Sequence, residues 1–162
     1  FQFRACDAEP LPFPKGQDLI VSCSAIQWFE HPERFLCQCK DLLKTEGYLA
    51  FSTFGPQNVR EVASLTSEAL PYRSLEELRR MLSGVYQIVY SREELLHRTF
   101  SSPLDVLKHL QATGVTGIRN RKWTKGQLED FCRRYHRQYA APDGTVSLTY
   151  HPIYMICKKQ EQ

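Results

Sequence analysis

Nothing in this chain is long and apolar enough to cross a bilayer as a helix, so no membrane-spanning helix is expected within it. It has no CxxC pair. Cys6, Cys23, Cys37, Cys39, Cys132 and Cys157 are scattered among apolar residues, and Cys37 and Cys39 point to different sides of a predicted helix. That spacing argues against a metal centre or a disulfide framework, and for reduced, mostly buried thiols in a cytoplasmic protein. Neither sign of charge dominates: 21 basic and 18 acidic residues leave a net charge of +3. This is too little to argue for nucleic acid, and no RNA-binding motif accompanies it. No Ser/His/Asp or Cys/His signature of a nucleophilic enzyme is present. A glycine-rich phosphate turn is missing too, because the close pair Gly114 and Gly117 follows a predicted helix rather than opening one. No internal repeat or low-complexity segment occurs. With Phe1 at its start and no basic-then-apolar leader, the chain reads as opening inside a longer protein.

What is there is an α/β rhythm. Hydrophobic residues make up 42% and charged residues 24% of 162 positions, enough for one domain with a real core. Residues 1–6 read as a strand and 18–23 as a continuous apolar strand buried on both faces. A helix follows over 31–43, with Phe35, Leu36, Cys39, Leu42 and Leu43 on one face. Gly47 breaks the pattern, and 48–54 is another strand, which suggests a parallel unit. Residues 57–69 read as a helix. Ser74 and Glu77 form a capping-box pattern that opens a short helix through Leu82. A long strand is expected over 86–100, bent near Glu93 and Glu94. Ser102 and Pro103 start a helix whose face is Leu104, Leu107 and Leu110, with Gly114 as its stop. Thr124 and Gln127 cap another, striped by Leu128, Phe131, Tyr135 and Tyr139. The end of the chain reads as one strand over 146–158, with Leu148, Tyr150, Pro152, Tyr154 and Ile156 on one face.

Several of these segments resemble class I S-adenosylmethionine-dependent methyltransferases. Asp7-Ala8-Glu9-x-Leu11-Pro12-Phe13, a spacer and Gln17-Asp18-Leu19-Ile20 are similar to that family's third and fourth strands. Leu43-Lys44-x-x-Gly47-Tyr48-Leu49-Ala50-Phe51, with the helix before it, is similar to the fourth helix and fifth strand. Ser22-x-x-Ala25-Ile26-Gln27-Trp28, Leu49 to Phe54, and Leu148-Thr149-Tyr150-His151 narrow the resemblance to the malonyl-acyl-carrier-protein O-methyltransferases of biotin synthesis, the BioC branch. It runs over essentially the whole chain.

The resemblance implies a Rossmann-like class I methyltransferase sheet lacking its first strands, with a helical lid before the last antiparallel strand. Residues 1–54 would be the end of the cofactor-binding sheet, 55–101 helices and the penultimate strand, 102–141 the lid, and 146–158 the final strand. The family's glycine-rich turn and second-strand acidic residue are not in this chain, which implies truncation. This piece alone would be inactive, and it would either pair with a second copy along an exposed sheet edge or be tightened by a retained N-terminal piece.

It also implies residue roles. Asp7 would accept from the adenine amine and the Ala8 N–H would donate to a ring nitrogen, although without the resemblance Asp7 reads first as a turn-former. Ser22, Cys23 and Gln27 would lie by the methionyl part of S-adenosylmethionine; Ser22 also suits close strand packing. Trp28 would wall the methyl-transfer site or sit in a core. Tyr150 first, and His151 second, would orient a malonyl carboxylate, with Arg119 or Arg121 as its cation. Pro152 departs from the family's apolar residue and belongs at a strand start or a bulge. Arg119, Arg121, Lys122, Lys125, Arg133, Arg134 and Arg137 could dock an acidic acyl carrier protein, or simply be solvated. The implied partner is that carrier bearing malonyl, or malonyl-coenzyme A, with neither nucleic acid nor membrane. A methyltransferase acting on another small acid or a phenol, and a non-catalytic binding domain of the same fold, are the alternatives.

Overall fold

Capping chemistry sets where the helices begin. In the computed structural model, which describes residues 2–10, 12–66, 70–114 and 123–160, Ser74 and Glu77 make a reciprocal capping box at the start of α3 (Leu75–Ser83). Thr124 and Gln127 do the same for α5 (Lys125–Tyr139). The Ser102 side chain accepts the Asp105 N–H at the start of α4 (Pro103–Thr113), and Gly114 ends that helix at φ 67°. The remaining elements are β1 (Gln17–Cys23), α1 (Pro32–Gln38), β2 (Leu43–Phe54), α2 (Arg60–Thr66), β3 (Tyr86–Glu93), β4 (Leu96–Phe100), β5 (Val146–Tyr150) and β6 (Pro152–Lys159). Short 3-10 turns lie at Ile26–Trp28 and Cys39–Asp41.

The chain forms two compact units. The first comprises Phe1–Gly55, Arg73–Glu93 and Pro152–Gln162. Its four strands run in the order β1-β2-β6-β3, with β1 parallel to β2 and β6 antiparallel to both β2 and β3. One face packs Leu49, Phe51, Ile153, Met155, Cys157 and Tyr86 with Phe35 and Leu36 of α1 and Leu78 and Leu82 of α3. Each fully buried Leu there contributes about 1.5–3 kcal/mol. Phe54 pairs with Pro152 and Glu93 with Ile153, so the chain leaves the sheet twice and re-enters it once at the carboxyl edge of β2.

The second unit comprises Pro56–Tyr72 and Glu94–His151. It holds the β4–β5 ribbon and a core of Val59 and Val62, Val106, Leu107 and Leu110 of α4, Phe131 and Tyr135 of α5, and Val146 and Leu148 of β5.

Several expectations are corrected here. Residues 2–6 form no strand: they are exposed, and a strand exists only through a partner they do not pair with. β1 is not buried on both faces, since Leu19 and Val21 are 53% and 58% exposed. α1 stops at Gln38, which leaves Leu43 to begin a longer β2. Gly47 lies inside that strand, at an irregularity where Glu46 has φ 67° and the three residues Gln17 to Leu19 of β1 face the six residues Leu43 to Tyr48 of β2. A Cβ on Gly47 would meet the Lys44 carbonyl at 3.0 Å and that of Gln17 at 3.1 Å. The expected long strand divides into β3 and β4, and the expected last strand into β5 and β6, in different sheets. Pro152, which has no N–H to donate, opens β6 as expected. The inner face of β6 is Ile153, Met155 and Cys157, with Tyr154 and Ile156 exposed, and on α4 Val106 replaces the exposed Leu104.

All six cysteines are free, but only Cys39 and Cys157 are buried. Burial pushes the Cys39 thiol up to about 12, with Cys37 adding to it, and burial alone pushes Cys157 up to about 11. In the native protein a thiol reagent should modify exposed Cys6 and Cys23 first, and Cys39 and Cys157 only on unfolding. Because unfolded thiols ionise near 9.0, their contribution to stability is full below that pH and lost as pH rises toward 12. The unfolding midpoint should therefore fall above pH 9, and a midpoint flat to pH 11 would count against these two thiols being buried in this way.

Candidate functional site

In the first unit the functional candidates gather at the carboxyl ends of β1 and β2, where sheets of this kind bind ligands. Ser22, the last inward-facing residue of β1, is buried and pairs with Phe51, while Cys23 faces out and is exposed. Ser24 then turns the chain at φ 48°, a conformation uncommon for a residue with a Cβ. Its N–H donates to both the carbonyl (3.0 Å) and the Oγ (3.1 Å) of Ser52 in β2, which fixes the turn. Gln27 Nε2 donates to the Ser24 carbonyl at 2.6 Å. Gln27 Oε1 is buried and meets no donor among the described residues. Trp28 follows, 48% exposed. Asp7, expected at a strand end, lies instead in an exposed loop. Its Oδ1 accepts the Glu9 N–H at 3.0 Å, the contact of a turn-former, and Ala8 is half-buried. Glu9 carries an unforeseen role: its carboxylate accepts the N–H groups of Glu30 and His31, tying this loop to the start of α1.

In the second unit β5 carries the other candidates. Tyr150 is half-buried, with its hydroxyl 2.8 Å from His109 Nε2. Burial pushes the phenol above its ordinary value, against smaller pulls from the Thr113 hydroxyl and the Arg98 charge. His151 is buried; its N–H donates to Asn58 Oδ1 at 3.2 Å, and its Nδ1 accepts the Gln57 N–H at 3.2 Å. An Nδ1 that accepts leaves the ring proton on Nε2. Asn58 also donates to the Tyr72 hydroxyl at 3.3 Å. Val59, at φ 49°, donates its N–H to the Thr149 carbonyl at 2.8 Å, and Glu61 accepts both the N–H and the hydroxyl of Thr149. Residues 57–61 thus grip Thr149 and His151 from one side. A left-handed, β-branched Val59 is strained, and such strain persists only where its surroundings enforce it.

Arg119 and Arg121, with Lys122, lie outside the described residues. Lys125, Arg133, Arg134 and Arg137 are exposed on α5, with Arg133 and Arg134 both paired to Asp130. Sequence reasoning missed Asn58, Glu61, His97, His109 and Thr149. The available signal was Asn58 and Glu61 falling on the same helical stripe as Leu65, polar groups where a core face belongs.

Comparison with known proteins agrees with this architecture. Residues 1–51 match the family model described as a methyltransferase domain. The chain is 51% identical to a malonyl-[acyl-carrier protein] O-methyltransferase of Bacteroides fragilis over 98% of its own length and 32% of that protein. It is 49% identical to the protein of the same name from Bacteroides helcogenes, over 98% of this chain and 58% of that one. It therefore spans less than two thirds of either relative. Among solved structures, a methyltransferase candidate from Bacillus halodurans superposes with a TM-score of 0.63 at 16% identity, covering 96% of this chain and 70% of that one. The two parallel strands, the antiparallel β6 beside them and these matches together give the chain the class I methyltransferase fold, and its sequence is similar, along nearly all of its length, to proteins named malonyl-[acyl-carrier protein] O-methyltransferase.

Proposed function

We propose that this chain, within its full-length protein, serves methyl transfer from S-adenosylmethionine to the free carboxylate of a malonyl thioester on an acyl carrier protein, a step of biotin synthesis. The observation that carries the reading is the similarity, along nearly all of this chain, to part of proteins named for that reaction. S-Adenosylmethionine supplies an electrophilic methyl group on a sulfonium. The buried, unpartnered Gln27 Oε1 suits the hydrogen-bond donors of that cofactor, as does the strand-end setting of Ser22, Cys23 and Gln27. The Asp7 carboxylate and the Ala8 N–H are available in the same unit for the adenine.

A malonyl carboxylate is already ionised near neutral pH, so the chain need not abstract a proton. What it has to do is orient the nucleophile and exclude water. Trp28 is the aromatic wall in this reading, and Tyr150 and His151 orient the malonyl group. The cationic face of α5 draws in an acidic carrier.

Two experiments follow. Gln27→Met removes the orphaned Oε1 together with the Nε2 hydrogen bond to the Ser24 carbonyl, so it should cost about 1 kcal/mol of stability at most while weakening S-adenosylhomocysteine binding about tenfold by calorimetry. Unchanged binding would remove Gln27 from the cofactor site. The full-length protein, given S-adenosylmethionine, should methylate malonyl-carrier with a far higher kcat/KM than succinyl-carrier, free small acids or a phenol. A preference for any of those would redirect the reading to another methyltransferase, and no transfer to any of them would favour a binding domain.

A further inference from the structure

We propose that Glu61, Thr149 and His97 form a proton-ordering relay that holds His97 Nε2 outward as a hydrogen-bond acceptor for an amide N–H on the thioester arm of the substrate. The relay stands on the geometry of the second unit; its ligand rests on the function proposed above.

Glu61 lies in the first turn of α2 and is 2% exposed. As a carboxylate it can only accept. Its Oε2 takes the Thr149 N–H at 3.0 Å and its Oε1 takes the Thr149 hydroxyl proton at 2.5 Å, with Arg60 Nε 3.6 Å from the same oxygen. Thr149 is fully buried, and its hydroxyl has a single proton, already given to Glu61. Toward its third neighbour, His97 Nδ1 at 3.2 Å, that oxygen can only accept. The proton of a neutral His97 is therefore on Nδ1 and its lone pair on Nε2. His97 pairs directly with Thr149 across the β4–β5 ribbon and is exposed, so the relay runs from a buried anion to the protein surface. Burying a carboxylate costs several kcal/mol in lost hydration. An amide could hold Thr149 as well, but only a group that purely accepts fixes the direction of both protons.

An outward lone pair selects the class of ligand. It does not hydrogen-bond a carboxylate, so His97 is not the residue that orients the malonyl group. It accepts an N–H or an O–H, and the pantetheine-type arm that bears an acyl thioester presents amide N–H groups.

Glu61→Gln makes the test sharp. The Thr149 N–H still needs an acceptor, so the Gln carbonyl takes it and the NH2 turns to the Thr149 hydroxyl. That hydroxyl must then point its proton at His97 Nδ1, and the imidazole switches to the Nε2–H tautomer. Histidine 15N resonances in the full-length protein, assigned with His97→Gln, report the tautomer directly. The expected result is Nδ1–H in the wild type and Nε2–H in Glu61→Gln. Titration with pantetheine should move the wild-type Nε2 resonance as an accepted hydrogen bond moves a bare ring nitrogen, a change that the protonated Nε2 of Glu61→Gln, which can only donate, should not show. In turnover, His97→Ala should raise KM for malonyl-carrier about fivefold with kcat within about twofold, the loss of one hydrogen bond made equally in ground and transition states. An Nε2–H wild type would overturn the relay, and an Nε2 resonance indifferent to pantetheine would overturn the ligand. If the wild type methylates no malonyl thioester, the function above fails, while the tautomer and the pantetheine titration still decide this proposal.

Discussion

Tyr86→Ala should lower the stability of the first unit by about 4 kcal/mol, whereas Tyr86→Phe should cost only about 1 kcal/mol. Tyr86 opens β3, is completely buried, and packs in the core with Leu36, Leu82 and Cys157. Its hydroxyl donates to the Leu36 carbonyl of α1 at 2.9 Å, and burial pushes the phenol well above its ordinary value. The alanine variant loses the ring and leaves a cavity between sheet and helices; the phenylalanine variant loses one hydrogen bond. Urea unfolding of the two variants separates these contributions. Equal losses would mean that the hydroxyl contact, rather than the packing, holds β3 to α1.

Glu61→Ala should cost about 3 kcal/mol, because it leaves the fully buried N–H and hydroxyl of Thr149 without their acceptor. Glu61→Gln keeps an acceptor for the N–H and should cost about 1 kcal/mol. Since Thr149 precedes Tyr150 and His151, the alanine variant should also lose methyl transfer out of proportion to its stability, measured well below its unfolding temperature. An alanine variant as active and as stable as the glutamine one would mean that the Glu61–Thr149 contact holds nothing that function needs.

How much of this could be read from sequence depended on the range of the interaction involved. The capping boxes at Ser74 and Thr124 and the stop at Gly114 are decided within a few residues, and they stand where the sequence puts them, whereas the break that Pro152 makes between β5 and β6 falls inside what the sequence reads as one strand. The faces of the sheet were not legible. In β6, Ile153, Met155 and Cys157 alternate with Tyr154 and Ile156, so both faces look apolar and only the packed helices decide which is inner. β1 shows the same ambiguity, with Leu19 and Val21 outward and Ile20 and Ser22 inward. Glu61 could not be matched to Thr149 because the two are 88 residues apart and nothing local connects them. Asp7 reads plainly as a turn residue, and the structure gives it that contact. Its role toward adenine came from the family resemblance.

The most direct test of the account follows the methyl group to its destination. The full-length protein, incubated with methyl-labelled S-adenosylmethionine and malonyl-carrier, should place the label on the distal carboxylate. The acyl group should gain the mass of one methylene, and mild alkali should release the label as methanol. Label on a carrier side chain or on the protein itself, or a malonyl-carrier left unlabelled while another acid is esterified, would contradict the account.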